Sequence, residues 1–150
     1  MRFIVEPEQL RPRFTPVYRS QDFAFDVEPK PKGGGASVLV NDVHLEVDEY
    51  GRVLYAWGLC PHTTWSETCE PPPTTRPGML RAELPDDFTP GTSIRVNRER
   101  WPVAANPKTG WVRIGESCAV DDRIEFADGM VACLAAGRLV SILIHLTTMP

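Results

Sequence analysis

Short apolar runs and turn-forming residues alternate along almost the whole chain. Fifteen prolines and eleven glycines divide it so finely that hardly any window sustains a 3.6-residue apolar period. The period that does recur is two. Val43, Leu45 and Val47 alternate with His44, Glu46 and Asp48 ahead of Glu49-Tyr50-Gly51, a three-residue loop whose glycine suits the left-handed position of a bulged turn. Counting outward pairs Asp48 with Arg52, Val47 with Val53, Leu45 with Tyr55 and Val43 with Trp57. One wholly apolar face results, and it includes Trp57.

The C-terminal third carries a second such pattern. Asp128-Gly129 is a two-residue hairpin turn of the primed type, setting Phe126 against Val131 and Ile124 against Cys133. A turn at Ala136-Gly137 pairs Leu134 with Leu139, Cys133 with Val140 and Val131 with Ile142. Both registers put Ile124, Phe126, Val131, Cys133, Val140, Ile142, Ile144 and Leu146 on one face, as a meander on a core requires. Cys133 is then a core residue.

Elsewhere Phe3 to Val5 and Phe23 to Val27 read as edge-type strands, and Lys30 to Gly35 as a flexible connection. Pro71 to Gly78 has too few amide protons to enter a sheet interior and reads as a stiff extended loop over the surface. Strands resume at Met79 to Leu84, Ser93 to Val96 and Trp101 to Ala105, and a reversal at Asn106 to Gly110 precedes Trp111 to Ile114. About eight or nine strands with short connections predict one all-β or β-dominated domain spanning 1–150. Its form is an antiparallel sandwich or small barrel with a C-terminal meander. The alternative is an α+β arrangement with one short helix, near Ser66 or in the opening segment.

Composition narrows the partners. Sixteen Lys and Arg against twenty Asp and Glu give a net charge of −4, which argues against nucleic acid and anionic membranes. Arg95, Arg98 and Arg100 form the best basic patch, interrupted by Glu99. Met1 to Glu8 lacks the apolar stretch of a signal peptide, and Leu139 to Leu146 is far short of the roughly 20 residues of a spanning helix. A cytoplasmic location is expected. Four cysteines at irregular spacing suit reduced thiols better than a disulfide scaffold, although Cys60 and Cys69 could close a short loop in an oxidising compartment.

Chemistry concentrates in Trp57-Gly58-Leu59-Cys60-Pro61-His62-Thr63-Thr64-Trp65. Cys60-Pro61-His62 resembles the first half of the Rieske iron–sulfur box. The resemblance ends there, because Ile142 stands where a Cys-x-x-His pair ending at His145 would need its thiol. Cys60, His62 and Cys69 are zinc-ligand types that Cys118 or His145 could complete, though the second closely spaced pair of a structural site is missing. Cys60, Cys69 or Cys118 beside a base would suit nucleophilic catalysis, with a small buried hydrophobe as the plainer role for Cys60. His44 and Glu46 share a face and could exchange a proton, whereas His145 is expected opposite Asp128 at the surface. Asp86-Asp87 and Asp121-Asp122 read as turn residues before strands.

Trp65, among Thr63, Thr64, Ser66 and Glu67, has the polar surround of a contact residue. Phosphate-loop, nucleophile-elbow, metalloprotease and dinucleotide motifs are missing. The expectation is therefore a non-catalytic binding protein without a cofactor. It would capture a protein partner or an apolar small ligand through the loop 58–78, with Trp65, His62, Cys60 and Glu67 at the contact. The alternatives are a small enzyme using Cys60 or His62 with Glu67, or a zinc-stabilised module.

Overall fold

The computed structural model describes residues 1–7, 13–32, 35–117 and 120–150. In chain order its strands are β1 (Phe3–Glu6), β2 (Thr15–Arg19), β3 (Ala24–Glu28), β4 (Ala36–Val40), β5 (Val43–Val47), β6 (Val53–Leu59), β7 (Ser66–Glu67), β8 (Arg76–Pro77), β9 (Met79–Ala82), β10 (Ser93–Arg95), β11 (Val103–Asn106), β12 (Trp111–Gly115), β13 (Asp122–Ala127), β14 (Met130–Ala135) and β15 (Arg138–His145). The helical residues described are confined to two 3-10 turns, Ser20–Asp22 and His62–Thr64. No α-helix supports the α+β alternative among the described residues.

A six-stranded sheet, β10-β4-β5-β6-β3-β2, faces a seven-stranded sheet, β7-β11-β12-β15-β14-β13-β8. The ribbon β1-β9 packs against both. Each large sheet ends in two different edge strands, so the sandwich holds and the closed barrel does not. Edge strands β2 and β8 carry Pro16 and Pro77, which deny a further strand part of its ladder. Phe23 to Val27, expected at an edge, instead leads into β3, which lies between β6 and β2.

One core joins the layers. Val27, Val38 and Leu45 from the first sheet meet Val112, Ile114, Ile124, Ile142 and Ile144 from the second. At the centre the Ala56 amide donates to Met130 Sδ across 3.2 Å. Full burial of such side chains contributes roughly 1.5–3 kcal/mol each, the largest favourable term for a domain without long helices.

Three β-bulges separate the observed registers from those expected. In the first hairpin Val47 pairs with Val53, but Leu54 is extra, so Glu46 meets Tyr55 and His44 meets Trp57. Trp57 thus lies on the outer face, not the core face. In the meander the turns hold, with Ala127 opposite Met130 and Ala135 opposite Arg138. Bulges at Phe126 and Val140 then slip both neighbours of β14 by one residue, so that Ala132 pairs with Ile124 and with Ile142. Met130, Ala132 and Leu134 enter the main core, while Val131 and Cys133 turn to the far face and cluster with Leu143, Trp111 and Val120. Cys133 is buried as expected, in a different core.

A strap covers that far face. β7 joins one edge of the seven-stranded sheet beside β11, and β8 joins the opposite edge beside β13. Nine residue steps of extended chain reach ~28 Å and six interstrand gaps span ~29 Å, so the connection must run nearly fully extended. The proline run sits where chain must stay extended without ladder partners. Thr68 N–H donates to the Ala105 carbonyl, Asn106 Nδ2 donates to the Glu70 carbonyl, and Arg113 pairs with the Glu70 carboxylate.

Candidate functional site

The site forms where β6 leaves the sheet. Gly58 has φ +127°, and a Cβ there would stand 2.6 Å from the Asp42 carbonyl, so only glycine lets β6 pass the β4–β5 turn. Beyond it the chain turns through Pro61 into the 3-10 turn at His62. Tyr18 of β2 holds this turn down. Its hydroxyl donates to the Cys60 carbonyl at 2.8 Å and accepts from the His62 amide at 2.9 Å.

Aromatic packing completes the corner. Trp65 stacks on Phe25 with centroids 5.7 Å apart and meets Tyr18 edge-on at 5.1 Å. Trp65 Nε1 donates to Cys60 Sγ at 3.4 Å. Phe23 stacks on His62 at 5.6 Å from the outer side. Cys60, His62 and Trp65 therefore do converge, as a packed corner rather than an open concavity. Trp65 is half-buried against the core, with its indole proton satisfied.

This setting determines the chemistry of Cys60. The residue is 4% exposed, and burial pushes its thiol up to about 11, against smaller lowering effects of the Trp65 hydrogen bond and Arg100. At neutral pH the sulfur is a protonated thiol that accepts a hydrogen bond, the opposite of an activated nucleophile. Glu67 does not join the corner. It is exposed on edge strand β7, paired through its backbone with Ala105.

The other expected ligand types are dispersed. Cys69 is exposed, and Cys118 lies outside the described residues. His145 pairs with Trp111 across β12 and β15, and its Nε2 lies 3.1 Å from the Thr109 carbonyl. Among the described residues no three His, Cys, Asp or Glu side chains gather as a metal site. Arg95 and Arg100 both face Asp42, at 3.9 and 3.3 Å, which neutralises much of the expected basic patch.

Next to the corner lies a surface that sequence patterning misplaces. Trp57 is 37% exposed, Leu59 46% and Phe23 41%. Trp57 and Leu59 are two apart on the outer face of β6, and Leu59 pairs with Ala24, beside Phe23. Cys60 N–H donates to the Phe23 carbonyl at 2.8 Å, locking the two segments together. Phe23 has φ +52°, a left-handed conformation that costs a bulky side chain on the order of 1 kcal/mol. Only the bulge at Leu54 exposes Trp57, and no local sequence signal marks it.

A polar network supports the indole. Trp57 lies over His44, and its Nε1 donates to Glu46 Oε2 at 2.9 Å. The other Glu46 oxygen accepts from the Gly35 amide at 2.8 Å. His44 Nδ1 lies 2.8 Å from Ser37 Oγ, which is 2.8 Å from Ser93 Oγ. His44 and Glu46 share the expected face, and each is engaged with a different partner. Burial lowers the His44 pKa, with Glu46 and Asp42 opposing it more weakly. Charged pairs rim the area: Arg19 with Asp26 and Glu28, and Arg100 with Asp42.

Comparison with protein-family models, curated proteins and solved structures gives no match. Among the described residues no helix is long and apolar enough to cross a membrane.

Proposed function

We propose that the chain is a non-catalytic binding protein whose contact surface is the outer face at the end of β6, where the loop 58–78 begins. One observation carries the reading. Three large apolar side chains, Phe23, Trp57 and Leu59, stand more than a third exposed at one sheet corner, beside the strands that carry the ion pair of Arg19 with Glu28 and near that of Arg100 with Asp42. An apolar centre with a polar rim is the anatomy of a protein contact, and tryptophan anchors such centres more often than other residues. The left-handed Phe23 supports the same reading, because the strained backbone holds a bulky ring over His62 at the surface.

The bound species is a folded protein or peptide, since three large exposed apolar side chains on the outer side of a sheet suit a protein contact. His62 contributes from beneath Phe23, Cys60 and Trp65 form the support, and Glu67 stands apart. A thiol-dependent enzyme is disfavoured by the protonated, enclosed Cys60.

Affinity capture from lysate tests the proposal with three variants. Leu59→Asp places a charge in the apolar centre, Phe23→Asn keeps the left-handed backbone without the ring, and Tyr50→Ala alters an exposed aromatic at the distant β5–β6 turn. Capture that falls at least about tenfold in the first two and holds in the third supports this surface. A captured protein retained equally by Leu59→Asp removes it.

A further inference from the structure

The strap does more than cover the seven-stranded sheet. Between it and the sheet runs a groove of about 360 Å³, walled by Pro71 to Pro73 on one side and by Trp111, Arg113, Arg123 and Leu143 on the other. A second hollow of about 300 Å³ shares Glu70, Arg113, Ser117, Arg123 and Leu143 with it and continues to Ser141 and Cys133. A volume of that size falls within the range of small-molecule sites.

Its polar groups are unequally satisfied. Arg113 is largely buried, gives Nε–H to the Gly115 carbonyl at 3.0 Å and pairs with Glu70 from the strap. Arg123 projects into the groove from β13, opposite Cys133, and makes no ion pair among the described residues. A half-buried guanidinium without a carboxylate is a fork with open donors, and its geometry suits a planar anion. The groove already holds Glu70 and Glu116 against Arg113 and Arg123. The groove is then formally neutral, with Glu70 already on Arg113, so a monoanion on Arg123 leaves it at −1 whereas a dianion leaves it at −2 and is opposed. Trp111, Leu143 and the prolines supply flat apolar walls beside it.

We propose that the groove under the strap binds a small monocarboxylate with a flat apolar body, the carboxylate on Arg123 and the body between Trp111 and the proline run. Glu70 shows the chemistry in place, being a carboxylate of the chain itself that reaches into the groove and pairs with an arginine. The site lies on the sheet opposite the contact surface at β6 and does not depend on that reading.

The test uses the full chain and phenylacetate as probe, with phenyl phosphate as the dianion and 2-phenylethanol as the neutral counterpart. Binding is followed by the indole N–H signal of Trp111 in NMR, assigned through Trp111→Phe. Phenylacetate is expected to shift that signal saturably, phenyl phosphate to bind more weakly, and the alcohol not to bind. Arg123→Gln should weaken phenylacetate at least about tenfold. If Arg123→Gln does not fold, Arg123→Lys carries the test, since it keeps the charge, loses the fork and should still weaken binding severalfold. An unmoved Trp111 signal at millimolar phenylacetate, equal binding of the alcohol, tighter binding of the dianion, or full affinity in the folded Arg123 variant would each overturn the proposal.

Discussion

Trp57 lies flat on His44, with ring centroids 4.2 Å apart and planes 7° from parallel. The two residues face each other across β5 and β6 only because Leu54 is extra in the ladder. Their contact makes the outer sheet face sensitive to protons. Burial holds the His44 pKa below its ordinary 6.5, with Glu46 and Asp42 partly offsetting that effect. As pH falls, the unfolded chain takes up this proton before the folded one does. The stability contributed by neutral His44 is therefore complete above about 6.5 and is lost as pH drops through the folded value. Melting temperature should fall from pH 7 to pH 5, and less steeply in His44→Gln. Parallel slopes for the two proteins would contradict the assignment.

Cysteine reactivity should follow burial and not sequence neighbourhood. Cys69 is exposed, whereas Cys60 is enclosed with its thiol raised to about 11. Iodoacetamide at neutral pH, read by peptide mass mapping, should modify Cys69 while leaving Cys60 and the buried Cys133 intact until the protein is denatured. Modification of Cys60 at the rate of Cys69 would show that the corner is open.

Stability should separate the buried brace from the open face. Trp65→Ala removes an indole packed between Tyr18 and Phe25 and leaves Cys60 Sγ without its donor, at a cost of about 3 kcal/mol. Leu59→Ser, on the open face, should change stability by about 0.5 kcal/mol or less. Urea titration of both variants measures the difference. Equal midpoints would mean that Trp65 is not the brace described here.

Turns and breakers were the legible part of this chain. Asp128-Gly129 and Ala136-Gly137 sit at their predicted two-residue turns, and Pro71 to Pro73 keep the strap out of the ladders. What alternation could not specify was the face of a strand that is apolar at both parities. Val53 to Trp57 and Met130 to Leu134 are continuous apolar runs, so a one-residue slip leaves the pattern unchanged while turning every side chain over. Bulges decided both cases. The strap then buried the second face of β14, which is why Cys133 looked like ordinary core.

The candidate site was legible in position and not in role. Cys60, His62 and Trp65 do meet, but the polar neighbours of Trp65 disguised an indole that folds back onto Phe25. Phe23 looked like the first residue of a strand, and nothing in its neighbours announces a left-handed backbone. Glu67 is close to the corner along the chain and separate from it in space.

Hydroxyl-radical footprinting of the captured complex against the free protein tests the binding surface most directly, because it reports side-chain exposure residue by residue. Phe23, Trp57 and Leu59 should each lose reactivity in the complex while Tyr50, 76% exposed at the far turn, keeps its own. Protection of Tyr50 or of the strap prolines, with Trp57 and Leu59 unchanged, would contradict the account.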